Sequence, residues 1–191
     1  MFPEKSLWKE LGMQTPFFKM YIGPMFGSKT THLLADVDKL TRKGKIVKAF
    51  KPSKDTRYSE SEILSHNGAS CPATNITNGY DILNSVDSNL VHVVAVDEAF
   101  MVKGCADALI KLYLESHISI IVSSIQLDAN LHPFHEIKEM LPWATSIKIC
   151  EAICTECDND AFFTKANVQI NTDPVLGGAE TYSPKCLKHM A

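Results

Sequence analysis

Three groups of residues in this chain have the types and spacing to do chemistry. The first is Gly23-Pro24-Met25-Phe26-Gly27-Ser28-Lys29-Thr30-Thr31. Where such a loop joins a strand to a helix, backbone N–H groups and the helix N-terminus converge on phosphate oxygens. Lys29 would add a mobile positive charge, and Thr30 a hydroxyl ligand for Mg²⁺. The pattern G-x-x-x-x-G-K-S/T is nearly met, but Ser28 stands at the second glycine and Gly27 is displaced by one position. A glycine turn before an amphipathic helix would use the same residues.

The second group is Asp97-Glu98, at the end of the apolar run Val91–Val96. In α/β sheets ligands bind outside the carboxyl ends of the strands, so this pair would reach the same crevice as the loop. Asp97 suits an outer contact to Mg²⁺, and Glu98 suits accepting a proton from a hydroxyl that attacks a γ-phosphorus. A solvated acidic turn is the plainer account of the two. The third group is Cys154-x-x-Cys157, then 28 residues, then Cys186-x-x-His189. Each pair can chelate one tetrahedral ion, and three thiolates with one imidazole suit a structural Zn²⁺ with no open position. Independent thiols and a surface histidine are the other reading. Cys150 ends the run Ile147-Lys148-Ile149 and is expected to pack, and Cys71 and Cys105 read as ordinary thiols.

These groups need elements to position them. Phe17–Ile22 reads as a strand that stops at Gly23-Pro24. Leu33, Leu34, Val37 and Leu40 recur at helical spacing after Lys29, and Gly44 sits where that helix would end. Ile46–Phe50 reads as a second strand, residues 51–75 as loops with short strand pieces, and Gly79–Val86 as a short helix. The nearly unbroken β-branched run Val91–Val96 is that of a parallel strand buried on both faces. Cys105–Leu114 reads as a helix and Ile118–Val122 as another buried strand. Such alternation predicts an α/β fold with a parallel sheet and right-handed crossovers. Residues 1–16 read as a peripheral extension, 17–149 as the nucleotide-binding α/β domain and 150–191 as a small metal-binding domain. Lys51-Pro52-Ser53-Lys54 reads as a modest basic loop, and the six histidines other than His189 as surface or packing residues.

Composition narrows the partners. The 191 residues are 45% hydrophobic and 21% charged, enough for a sizeable core and too apolar for bulk disorder. Nineteen basic residues against 22 acidic ones give a net charge of −3, which argues against a nucleic-acid face. Glu151, Glu156, Asp158 and Asp160 around the cysteine pair argue the same way against a zinc-ribbon nucleic-acid module. No apolar run approaches the ~20 residues that span a bilayer. The start lacks the pattern of a secretory signal, so the expected location is the cytoplasm.

Taken together, the phosphate loop, the Asp-Glu strand end and the Cys-x-x-Cys…Cys-x-x-His set resemble the zinc-containing thymidine kinases. The likeness runs from about Lys19 to His189 and includes Asp55-Thr56-Arg57-Tyr58, Asp97-Glu98-Ala99 and Pro133-Phe134. It continues through Ala161-Phe162-Phe163-Thr164-Lys165 and Gly177-Gly178-Ala179-Glu180-Thr181-Tyr182. The resemblance implies a RecA-like P-loop sheet flanked by helices, a zinc-held C-terminal lasso, a homotetramer, and ATP-dependent 5′-phosphorylation of thymidine or deoxyuridine. It makes Glu98 the catalytic base, Asp97 the magnesium-linked carboxylate, and Asp55 and Arg57 phosphate-side contacts. The nucleoside would meet Met101, Ala129, Phe134, Phe162 and Thr164, and a lasso of Asp173, Pro174, Val175, Leu176, Gly177 and Tyr182.

The chain departs from the family at both ends of the reaction. The usual Ser-Gly before the loop lysine is here Gly27-Ser28, and a Cβ at that point restricts the backbone that brings amides to phosphate. Phe100 replaces a usual Gln, and Met101 and Val102 replace two aromatics. Ala129 stands for a phenylalanine, Gln126 for an aspartate, and Asn130-Leu131 for an Arg-Gly pair. A kinase for another deoxynucleoside, or a non-catalytic nucleotide-binding homologue, are the rival expectations.

Overall fold

The computed structural model describes residues 15–55, 61–167 and 177–190. The first half contains β1 (Phe18–Ile22), α1 (Lys29–Arg42), β2 (Val47–Pro52), β3 (Glu62–Leu64), β4 (Ser70–Pro72), β5 (Thr74–Ile76) and α2 (Gly79–Ser85). There follow β6 (Val93–Val96), α3 (Cys105–Glu115), β7 (Ser119–Ser124), α4 (His135–Met140) and β8 (Ser146–Ile149). Six of these strands form one sheet in the order β5-β2-β6-β7-β1-β8, with every neighbouring pair parallel. This is the α/β class that the alternating pattern predicts.

The unbroken apolar runs follow from burial on both faces. Along β6, Val93 and Ala95 face a core shared with Leu33, Leu34 and Val37 of α1. Val94 and Val96 face the other core, built with Leu109 and Leu112 of α3 and Ile137 and Met140 of α4. In β7, Ile121 belongs to the first core and Ile120 and Val122 to the second. Helix α1 stops at Arg42, and Gly44 takes up a left-handed conformation (φ 76°) just past its end.

Two parts of the sheet differ from the sequence expectation. β2 runs on to Pro52, so Lys51 and Pro52 are buried sheet residues rather than members of a basic loop. The edge strand β8, which the sequence reading does not mark as a strand, alternates as Ser146-Ile147-Lys148-Ile149, but all four residues are exposed and it is placed by pairing with β1. After Ile149 two small antiparallel pairs follow: β9 (Ala152–Ile153) with β10 (Asp160–Ala161), and β11 (Phe163–Ala166) with β12 (Tyr182–Lys185). Among the described residues no helix is long and apolar enough to cross a membrane.

Candidate active site and metal centre

The parallel register sets chemistry-bearing residues side by side at the carboxyl end of the sheet. Val96 of β6 pairs with Phe50 on one side and Val122 on the other. The next residues along, Lys51, Asp97 and Ser123, therefore form a row across three strands. Ser123 Oγ donates to Asp97 Oδ1, and the Asp97 N–H donates to the Phe50 carbonyl at 3.0 Å.

The phosphate loop leaves β1 one strand further along. Gly23 is required by proximity: a Cβ there would lie 2.1 Å from the Cys150 carbonyl oxygen, which follows β8. Gly27 is crowded by the same oxygen, since a Cβ would lie 3.1 Å from it and 3.2 Å from the Pro24 carbonyl. The exchanged order Gly27-Ser28 thus leaves the crowded position without a side chain and gives the exposed position a serine. Ser28 takes up the left-handed conformation (φ 57°, ψ 21°) despite its Cβ. Phe26 is also left-handed (φ 64°), an outlier for a bulky residue and a form of strain that clusters at ligand clamps.

Lys29 opens α1, is buried, and donates from Nζ to the Pro24 carbonyl. Thr30 Oγ1 lies 3.2 Å from each oxygen of Asp97, so the helix start and the end of β6 are joined over β7. Burial and then the neighbouring Glu98 carboxylate raise the Asp97 pKa, while hydrogen bonds from Ser123 and Thr30 and the Lys29 charge oppose them. A carboxylate in that position is one that a divalent cation would stabilise in its charged form. Glu98 turns out of β6 in a left-handed conformation (φ 48°, ψ 44°) at the start of a short 3₁₀ turn, Ala99–Met101.

One cleft is lined by Met25, Phe26, Gly27, Ser28, Lys29, Thr30 and Thr31 together with Asp55, Asp97 and Glu98. Lys51 and the hairpin residues Ile63, Leu64, Ser65 and His66 line it as well, and the sequence reading did not select them. The signal available for Lys51 and Ser123 was their place at the carboxyl ends of parallel strands. For His66 it was the compact turn that carries it, in which the buried Ser65 Oγ donates to the Ala69 carbonyl at 2.9 Å. The His66 ring packs 5.7 Å from that of Phe26.

The residues expected at the nucleoside are not among those lining this cleft. Met101 ends the 3₁₀ turn, and the ring of Phe134 lies 4.5 Å from that of Phe100. Ala129 is half-buried in the segment after β7, where Gln126 Nε2 donates to the Phe162 carbonyl at 3.3 Å. Thr164 is buried, and its Oγ1 accepts from the Met25 N–H at 3.1 Å, tying β11 to the phosphate loop. Tyr182 is buried in β12, which raises the pKa of its hydroxyl, and its N–H donates to the Gly178 carbonyl next to Gly177. Arg57 and the lasso residues Asp173, Pro174, Val175 and Leu176 lie outside the described residues.

Cys154, Cys157, Cys186 and His189 come together, each offering one ligand atom, all within 4.8 Å of one another. Cys157 Sγ lies 3.7 Å from Cys186 Sγ, and His189 Nδ1 lies 3.6 Å from Cys154 Sγ and 3.3 Å from Cys186 Sγ. A tetrahedral zinc with bonds of about 2.3 Å to sulfur and about 2.0 Å to nitrogen gives S–S edges near ~3.8 Å and S–N edges near ~3.5 Å. The donor set and its spacing therefore fit that ion. Burial raises the Cys154 thiol pKa, but the amides of Cys186 and Glu156 and the side chains of His189 and Cys186 outweigh it and bring it below its ordinary value. Cys150 packs under the phosphate loop and Cys105 in the core at the start of α3, while Cys71 is half-buried on β4.

A family model described as thymidine kinase matches residues 17–190. A thymidine kinase of Thermococcus kodakarensis is 31% identical over 186 residues, covering 91% of this chain and 93% of that protein. One from Pyrobaculum aerophilum is 32% identical over 180 residues, covering 88% of this chain and 95% of its own length. Thymidine kinase a of Arabidopsis thaliana is 30% identical over 177 residues, covering 88% of this chain and 72% of that protein.

Proposed function

The chain belongs to the thymidine kinase family, and on that premise we propose that it transfers the γ-phosphoryl group of ATP to the 5′-hydroxyl of thymidine or deoxyuridine. The observation that carries the reading is the join between Thr30 and Asp97, which brings the phosphate loop and the Asp-Glu strand end into one cleft.

Phosphoryl transfer asks a protein mainly for positioning and charge neutralisation. Backbone N–H groups of the Gly23–Thr31 loop (Pro24 has none) and the charges of Lys29 and Arg57 serve the phosphates, with Asp55 beside them. Thr30 and Asp97 would hold Mg²⁺, which when bound offsets charge on the phosphate oxygens. Glu98 orients the 5′-hydroxyl and takes its proton as the new P–O bond forms and the bond to ADP breaks. Met101, Ala129, Phe134, Phe162 and Thr164 shape the nucleoside side, and the segment Asp173–Gly177 with Tyr182 closes over it. Such closure excludes water from the reaction. Cys154, Cys157, Cys186 and His189 would hold Zn²⁺ as a cross-link that gives the small C-terminal unit its shape. A cytoplasmic homotetramer completes the proposal.

The test is product formation from thymidine and ATP·Mg²⁺, resolved by chromatography with the other deoxynucleosides alongside. Thymidine monophosphate is the expected main product. A different monophosphate would mean that Gln126 and Ala129 have retuned the base pocket. ATP binding without any product would overturn the catalytic reading.

A further inference from the structure

On the phosphate-cleft reading above, we infer that Ser123 is a positioning residue: its hydroxyl fixes the Asp97 carboxylate in the orientation that serves the divalent cation of the nucleotide. Ser123 stands near the carboxyl end of β7, is fully buried, and lies behind the cleft rather than on its wall. Ile121 of β7 and Ala95 of β6 face the core under α1, and side chains alternate along a strand. Ser123 and Asp97 therefore turn to that same side, where Thr30 stands in the first turn of the helix.

A fully buried hydroxyl costs free energy unless it is bonded, and an alanine would fill this sheet position without that cost. Here the Ser123 Oγ donates to Asp97 Oδ1. The Asp97 main chain is already anchored by its N–H to the Phe50 carbonyl at 3.0 Å, so rotation of the side chain is the freedom that remains. Thr30 does not remove that freedom. Its Oγ1 lies 3.2 Å from Oδ1 and 3.2 Å from Oδ2, an even and long contact that does not choose between the two oxygens. Ser123 does choose. With Oδ1 held from the β7 side, Oδ2 is the oxygen left to Thr30 and to the cation. A partner that orients a metal-side carboxylate from behind acts by preorganisation, and losing such a partner typically weakens metal binding about 10–100-fold.

The measurement compares the parent protein with Ser123→Ala, which deletes the hydroxyl, and with Ser123→Cys, which keeps a weaker donor at similar size. ATP affinity is read by calorimetry with Mg²⁺ and without added divalent cation, turnover and thymidine KM by steady-state assay, and folding by thermal unfolding. In Ser123→Ala, affinity for ATP·Mg²⁺ should fall about tenfold or more, while affinity for metal-free ATP stays within about twofold of the parent's. Turnover should fall by about tenfold or more with thymidine KM nearly unchanged, and Ser123→Cys should lie between. If Ser123→Ala does not fold, the same split must appear in Ser123→Cys. A folded Ser123→Ala variant that keeps the parent's gain in ATP affinity from Mg²⁺ overturns the inference. So does an equal loss with and without Mg²⁺, which would make Ser123 only a support for the end of the sheet. A parent protein whose ATP affinity Mg²⁺ does not raise overturns it as well. A parent that makes no thymidine monophosphate, yet loses its Mg²⁺ gain in Ser123→Ala, would refute the kinase reading and leave this one standing.

Discussion

Glu98 and Asp97 adjoin in sequence but sit in different surroundings. Asp97 is buried and held by Ser123 and Thr30, whereas Glu98 leaves the strand in a left-handed turn and stands half-exposed at the cleft. That division suits one carboxylate to hold a cation and the other to handle a proton. Glu98→Gln keeps the size and hydrogen-bonding shape of the side chain but cannot accept the proton. Turnover should fall by roughly 10²–10⁴ while ATP affinity stays near that of the parent. Near-normal turnover, measured with thymidine as acceptor, would remove Glu98 from the role. Residue type and spacing made much of this site legible: Lys29, Thr30, Asp97, the cysteines and His189 all declare their chemistry in the sequence. Lys51 and Ser123 did not, because a lysine and a serine near strand ends are common, and only the register of β2, β6 and β7 sets them beside Asp97.

At the level of elements, the sheet depends on helices whose ends are tied by side chains from elsewhere. Helix α3 begins after Gly104, and its first amides are met by a carboxylate from α4. Glu136, itself buried, accepts from the Gly104 N–H at 2.9 Å and the Ala106 N–H at 2.8 Å. Charge at a helix N-terminus and two charge-assisted hydrogen bonds both favour the folded state. Glu136→Ala would leave the buried Ala106 amide and the part-buried Gly104 amide unmet, at a cost of about 2–3 kcal/mol. The denaturation midpoint in urea should drop accordingly, with an unchanged slope against denaturant. A loss within the error of the measurement would mean that water reaches the amides and replaces the carboxylate. Sequence periodicity located α1, α3 and β6 because each buries a regular apolar pattern. It could not show this cap, since nothing local ties Glu136 to Gly104, 32 residues away in the chain. Nor could it place β8, whose Ile147 and Ile149 are exposed and whose position depends on pairing with β1.

In the molecule as a whole, the small cysteine-rich unit adjoins the nucleotide cleft. The two are joined at several points. The Cys150 carbonyl presses on Gly23 and Gly27, the Met25 N–H donates to Thr164, and Gln126 donates to the Phe162 carbonyl. Among the described residues the apolar cluster around the cysteines is small: Ala152, Cys154 and Ala161 are buried together, with Cys157 and Cys186 packed against them. So few apolar contacts supply little stability, and an ion held by four side chains would supply most of the unit's order. Removing zinc with a chelator should therefore lower the Tm and also weaken thymidine binding, by about tenfold or more, a loss of roughly 1.4 kcal/mol. Added Zn²⁺ should restore both. Thermal unfolding and calorimetric titration with thymidine, before and after chelation, measure the two effects on one sample. A chelated protein that melts earlier but binds thymidine as before would confine the metal to a local structural role. Joint loss and recovery would mean that Thr164 and Gln126 carry the order of the metal unit into the cleft.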